Sequence, residues 1–147
     1  MQSTLGKSIK VGWIGTGVMG KSMCGHLMKN GYQLSLFTRT KSKAEDLLKE
    51  GATFLEPTQL AQQSDVLFLM LGYPHDVEQV VLNPETGVLG HMKPGSFLID
   101  HTTSSPGLAE RIYAEAKKRQ VRSIDAPVSG GDIGARNGQL VTMVGAE

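Results

Sequence analysis

Eight consecutive residues, Gly15 to Ser22 ("GTGVMGKS"), satisfy two anion-binding fingerprints at once. As Gly15-Thr16-Gly17-Val18-Met19-Gly20 they read GxGxxG, the turn that lays the pyrophosphate of a dinucleotide on a helix N-terminus. Carried through Gly20-Lys21-Ser22 they read GxxxxGK(S/T), the P-loop of nucleoside triphosphatases, with the lysine on the phosphates and the hydroxyl on magnesium. Both need a strand before the loop and a helix after it, and the flanking sequence supplies both. The P-loop reading also finds a magnesium-organising acid in Asp100, at the end of the apolar run "FLID", although no guanine-reading NKxD follows. The loop alone leaves two chemistries open.

The discriminating position lies about 20 residues further on, at the end of the second strand, where a dinucleotide site meets the adenosine ribose. An acid there accepts the ribose hydroxyls and marks NAD. This chain has Thr38-Arg39-Thr40 instead, with Lys43 one short turn later. Arginine offers a planar fork that pairs with a 2′-phosphate and stays charged. Isolated basic residues at a helix start are usually solvated surface charges, but the helix dipole disfavours cations there unless an anion is present. The placement of Arg39 and Lys43 relative to the glycines predicts NADP. Under this reading Lys21 and Ser22 are ordinary helix positions with no phosphate role.

The elements that must hold these residues alternate apolar runs with helical patterns, the signature of a doubly wound, Rossmann-type α/β fold around a mainly parallel sheet. The runs 9–14, 33–37, 53–55, 66–71, 97–100, 121–125 and 140–144 are read as strands. Val66 to Leu71 is so uniformly apolar that it belongs at the centre, buried on both faces. Met19, Met23 and Leu27 share one face of the first helix, and Asn30-Gly31 ends it. Ser42-Lys43-Ala44-Glu45 spells a capping box for the second helix, which Gly51 closes. Further helices are read in "EPTQLAQQS", near 76–81, and from the Ser105-Pro106 start to about residue 120.

With 147 residues the chain suits one domain, residues 9–147 after a tail of residues 1–8. Fifteen lysines and arginines nearly cancel 14 aspartates and glutamates, so no global field draws it to nucleic acid or to a membrane. The longest apolar run is too short to span a bilayer, and "MQSTLGKSIK" has neither a signal-peptide core nor an arginine-rich transit pattern, which points to a soluble, cytoplasmic protein. Cys24 has no internal disulfide partner. His26, His75 and His91 suit structural or exposed roles, His101 beside the cofactor loop is the one histidine worth testing, and no metal-ligand spacing occurs.

Three stretches in order, "VGWIGTGVMG", "DHTTSSP" and "DAPVSGGDIGARNGQLVTMVG", resemble the β-hydroxyacid dehydrogenases, the group of 3-hydroxyisobutyrate dehydrogenase, tartronate semialdehyde reductase and the glyoxylate/succinic semialdehyde reductases. "GKSMCGHL" and "TRTKSKAEDL" are most similar to its plant 3-hydroxyisobutyrate dehydrogenase-like members. The resemblance runs from about Ile9 to Gly145. It implies that Gly15, Gly17 and Gly20 form the pyrophosphate turn, with Thr16 inside it and Val18 and Met19 covering the dinucleotide. It also implies that Arg39, Thr40 and Lys43 match the NRTxSK stretch of NADP-using members, with Thr38 where those have asparagine. Leu71, Gly72, Tyr73 and Pro74 fall where the family passes the cofactor, and Thr103 matches a threonine near the nicotinamide. Ser129, Gly130 and Gly131 match the segment that binds a small carboxylate substrate. Successive glycines expose N–H groups suited to such an anion. A hydrolase role for Ser129 lacks both the GxSxG elbow and a histidine to activate it.

The family's catalytic lysine sits on a helix after the Rossmann domain, in a motif this sequence does not contain, and Lys117 and Lys118 on an earlier helix do not replace it. The resemblance therefore implies the cofactor domain of an NADP-dependent oxidoreductase, nearly inactive by itself, without the family's second, all-helical domain and the homodimer contacts that domain carries. The alternatives are a non-catalytic dinucleotide-binding module and a triphosphatase. Mitochondrial residence, known for some members, is the alternative location.

Overall fold

The computed structural model describes residues 9–16, 18–102, 105–129 and 141–142, with the backbone alone for residues 18, 19, 128, 129, 141 and 142. Its first unit is β1 (Val11–Ile14), α1 (Val18–Lys29) and β2 (Leu34–Phe37). A 3-10 turn (Lys41–Ala44), α2 (Glu45–Lys49) and β3 (Thr53–Phe54) follow. The chain then crosses over through α3 (Pro57–Gln63) to β4 (Val66–Leu69), α4 (Pro74–Leu82) and a 3-10 turn (Val88–His91). It continues through β5 (Phe97–Asp100), α5 (Pro106–Lys118) and β6 (Arg122–Asp125).

Six strands form one parallel sheet in the order β3-β2-β1-β4-β5-β6. The chain winds outward from β1 to β3, returns to the middle, and winds outward again to β6. This is the doubly wound Rossmann-type arrangement that the alternation predicts, and it puts the reversal of strand order between β1 and β4. Two short strands, β7 (Val128–Ser129) and β8 (Val141–Thr142), pair antiparallel in a separate ladder. The last predicted strand thus lies off the main sheet, and the rest of it falls outside the described residues.

Side chains alternate across the sheet because strand residues point to opposite faces in turn. Val11 and Trp13 of β1 join Cys24 of α1 and Leu47 of α2 on one face. Leu67 and Leu69 of β4 join Val77 and Val81 of α4, with Leu108 and Ile112 of α5, on the other. The continuous apolar run of β4 is explained by this double cover: Leu67 and Leu69 are fully buried on one side, and Phe68 packs on the opposite cluster.

Local signals at helix ends are mostly realised. Gly31 takes φ 87° and its N–H bonds the Met28 carbonyl, closing α1. Ser105 Oγ accepts the Leu108 N–H and Pro106 opens α5. At α3, Gln59 Oε1 accepts the Glu56 N–H. The Ser42 capping box is not formed. Residues 41–44 make a 3-10 turn, α2 starts at Glu45, and no side chain caps either. Ala44 is fully buried against the α1/α2 core, so packing rather than capping decides where the helix starts.

Candidate functional site

The carboxyl ends of β2, β1, β4 and β5 meet at the reversal of strand order, the position at which open α/β sheets bind ligands. Gly15 leaves β1 there with φ +100°, and a Cβ on it would run into the Met70 carbonyl. Its N–H is held by the Phe37 carbonyl (3.0 Å), and its carbonyl accepts the Trp13 indole N–H (2.9 Å). A Cβ on Gly20 would strike the same Gly15 carbonyl, so the two glycines are what let α1 press against the turn. Val18 and Met19 lie in the first turn of α1, which carries no acidic residue. Gly17 is outside the described residues.

Thr16 is 2% exposed, and its Oγ1 has no hydrogen-bond partner among the described residues. A buried hydroxyl without a partner costs about 1–3 kcal/mol. Such an orphan, in a turn stripped of side chains at the N-terminus of a helix free of acids, suits an anionic ligand with acceptor oxygens. A dinucleotide pyrophosphate fits these residues.

Lys21, on which a P-loop would depend, is engaged by a carboxylate of α2. Its Nζ pairs with Asp46 Oδ2 at 2.7 Å, tying α1 to α2. That hydrogen bond and charge hold the Asp46 carboxyl below its usual range. Ser22 sits half-buried one residue further along α1.

At the end of β2, Thr38 is buried while Arg39 and Thr40 are exposed. The Arg39 side chain, 77% exposed, reaches across to α4, where its Nη2 meets Asp76 Oδ1 at 2.8 Å. The Thr40 carbonyl accepts the Lys43 N–H (3.0 Å), and Lys41 lies over the Phe54 ring. Because residues 41–44 form a 3-10 turn and α2 carries Glu45 and Asp46 in its first turn, the helix-dipole argument for Arg39 and Lys43 does not hold. Their position beside the carboxyl end of β2 does.

The loop after β4 is tied to the loop after β5. The Leu71 N–H donates to Thr102 Oγ1 (2.8 Å), and the Thr102 N–H donates to Asp100 Oδ1 (2.8 Å). Gly72 and Tyr73 are exposed, and Pro74 opens α4. Tyr73 stacks on His75 with centroids 5.8 Å apart. Burial pushes the Asp100 carboxyl up to about 6, with the neighbouring Asp125 adding to the rise and the Thr102 bonds opposing it. Burial also raises the Asp125 carboxyl. Asp100 is thus a brace for backbone, not an open acid awaiting a metal.

His101 is buried, and burial lowers its pKa. Its Nδ1 lies 2.7 Å from the Ala126 carbonyl. A carbonyl only accepts, so Nδ1 carries the proton and links the end of β5 to the loop after β6. The ring stacks on Phe68 (5.6 Å), which stacks on Trp13 (5.2 Å). The three rings, from β1, from β4 and from the residue that follows β5, connect the glycine turn to the Ala126 loop. His91 meets the Glu85 carbonyl through Nε2, and the His26 carbonyl accepts from Asn30 Nδ2.

Ser129 lies in β7 with its backbone paired to Val141; Thr103, Gly130 and Gly131 lie outside the described residues. Lys117 and Lys118 occupy the last turn of α5, at the opposite end of the sheet from the cleft. Sequence reasoning passed over Asp76, Trp13 and Thr102. Thr102, beside Thr103 in "HTTSS", carried a signal; the Arg39–Asp76 pair, 37 residues apart, carried none.

Residues 10–147 match the family model described as the NAD binding domain of 6-phosphogluconate dehydrogenase. Over 139 residues the chain is 52% identical to an Arabidopsis thaliana protein named probable 3-hydroxyisobutyrate dehydrogenase-like 1, mitochondrial, covering 94% of this chain and 42% of that one. It is 48% identical to a Bacillus subtilis protein named uncharacterized oxidoreductase YkwC, over 93% of this chain and 48% of the relative. Its fold matches a Mycobacterium tuberculosis 3-hydroxyisobutyrate dehydrogenase solved with L-serine, with TM-score 0.86 and 28% identity over 95% of this chain and 47% of that one. It also matches a structure described as Psf3 in complex with NADP+ and 2-OPP, with TM-score 0.88 and 30% identity over 93% of this chain and 49% of that one. The chain spans about half the length of the relatives it matches.

Proposed function

From the premise that this chain belongs to the family of the 6-phosphogluconate dehydrogenase NAD-binding domain, we propose that it is the cofactor domain of an NADP-dependent β-hydroxyacid dehydrogenase. The reaction is hydride transfer between nicotinamide and a small hydroxy acid or semialdehyde, of the 3-hydroxyisobutyrate, glyoxylate or succinic semialdehyde class. The observation that carries NADP over NAD is the guanidinium of Arg39, exposed beside the carboxyl end of β2, where NAD sites place an acid.

When bound, the dinucleotide would donate the hydride to the semialdehyde or accept it from the hydroxy acid. Gly15, Gly17 and Gly20 bring backbone close to the pyrophosphate, and Thr16 Oγ1 donates to it. Val18 and Met19 cover it from the start of α1. Thr38, Arg39, Thr40 and Lys43 hold the adenosine ribose and its phosphate. Leu71 to Pro74 and Thr103 line the path to the nicotinamide, steadied by Thr102 and Asp100. Ser129, Gly130 and Gly131 receive the substrate carboxylate. Proton transfer is assigned to no residue of this chain, so the 147 residues bind nucleotide and turn over little by themselves. The charge balance and the fully buried Cys24 suit the cytoplasm; the mitochondrial names of the Arabidopsis relatives support the alternative.

Fluorescence titration of NADPH and NADH against wild type and Arg39→Asp tests the reading. A charge-assisted hydrogen bond is worth about 1.5–3 kcal/mol, so wild type should bind NADPH about tenfold or more tighter than NADH, and Arg39→Asp should lose that margin. Equal affinity of both proteins for both nucleotides would refute the role of Arg39. Turnover of the three substrates by the chain alone would refute the assignment of proton transfer outside it.

A further inference from the structure

Strands β2 and β4 flank β1, so a contact between the end of β2 and the start of α4 passes over the carboxyl end of β1 and the glycine turn. The Arg39–Asp76 ion pair is such a contact. Its two partners are held differently. Asp76 is 14% exposed and lies in the first turn of α4, where the helix dipole favours a carboxylate. Its second oxygen faces Gly72, 3.9 Å from where a Cβ on that glycine would stand. Arg39 is 77% exposed on the end of a strand and is the partner able to move.

The pair is electrically neutral, so the cation best placed for a 2′-phosphate arrives already compensated. A phosphate that takes the guanidinium must compete with Asp76 for it. A ribose 2′-hydroxyl meets no such competition. We infer that Asp76 is a specificity-determining residue: through its pairing with Arg39 across the cleft it holds down the preference for a 2′-phosphorylated dinucleotide. The inference rests on the proposal that Arg39 receives that phosphate. It goes beyond that proposal by naming the opposing group and the sign of its effect. His75 Nε2 lies 3.5 Å from the same Asp76 oxygen and is exposed, so the test isolates the Arg39 route by a double substitution.

NADPH and NADH are titrated by fluorescence into the full chain as wild type, Arg39→Gln, Asp76→Asn, Asp76→Ser and Arg39→Gln/Asp76→Asn, with thermal melting of each to establish folding. Removing the opposing charge should tighten NADPH by roughly three- to tenfold in both neutral Asp76 variants and leave NADH within about twofold. In the Arg39→Gln background the same substitution should change NADPH affinity by less than about twofold. An unchanged NADPH/NADH ratio, or weaker NADPH binding, in the folded Asp76 variants overturns the inference. The second result would make Asp76 an aid to Arg39 rather than its competitor. A gain that persists without Arg39 overturns the pairing route. If Arg39→Gln alone leaves NADPH affinity unchanged, the underlying assignment of Arg39 fails, and the inference falls with it by a distinguishable result.

Discussion

The two ends of the cleft are built on opposite principles. At the β2 side, Arg39, 77% exposed, reaches Asp76 in a direct ion pair of 2.8 Å. At the β4 and β5 side, Asp100, His101 and Thr102 are all under 9% exposed, and their side chains hydrogen-bond backbone groups of Thr102, Ala126 and Leu71, respectively. Exposed pairs contribute little to stability and respond to salt, whereas buried polar groups are costly to leave unpaired. The first end can be retuned by single substitutions with the fold intact. The second cannot be altered without moving the sheet's loops.

The sharpest break of this contrast is at the turn between the two ends. Gly15→Val forces a β-branched residue to φ +100° and drives its Cβ into the Met70 carbonyl. It should cost about 3 kcal/mol or more in urea unfolding and abolish nucleotide binding. Stability within 1 kcal/mol of wild type would mean that the turn is not under the constraint described.

Asp100 gives the next largest effect. Its carboxyl is raised from 3.8 to about 6 in the fold. A raised carboxyl favours the protonated form in the native state, so its contribution to stability is fully present below about pH 3.8 and is lost as pH rises through about 6. The swing is at most about 3 kcal/mol and is shared with the neighbouring Asp125, whose carboxyl is raised too. Wild type should therefore lose stability relative to Asp100→Asn between pH 4 and pH 7, measured by denaturant midpoints across that range. Parallel profiles for the two proteins would contradict the buried-brace description.

Lys21→Ala marks the small end of the scale. It breaks an exposed pair that links α1 to α2. It should leave NADPH affinity within about twofold and stability within about 1 kcal/mol. Loss of nucleotide binding would revive the P-loop reading of residues 15–22.

Much of this was legible in the sequence, because the signals were local. Strands covered on both faces must be apolar throughout, and Val66 to Leu71 betrayed the central strand. The cap and proline at Ser105-Pro106, and Asn30-Gly31, acted within a few residues of themselves. The Ser42 capping box misled for a physical reason. A side-chain cap is worth about 1 kcal/mol, less than burying Ala44 and Leu47 in the α1/α2 core, and the core set the helix start at Glu45. The bracing role of Asp100 was not legible: a carboxylate ending an apolar strand looks the same on paper whether it faces a metal or accepts the Thr102 N–H.

Residues 15–22 bound the problem, and Arg39 at the end of the second strand narrowed it, because glycine spacing and residue charge act through the local geometry of strand, turn and helix. The partners of those residues were decided only by the tertiary structure. Lys21 went to Asp46, Arg39 to Asp76 and Leu71 to Thr102, across separations of 25, 37 and 31 residues. No periodicity or motif encodes such pairings, since they exist only once the parallel sheet has brought the carboxyl ends of β2, β1, β4 and β5 side by side.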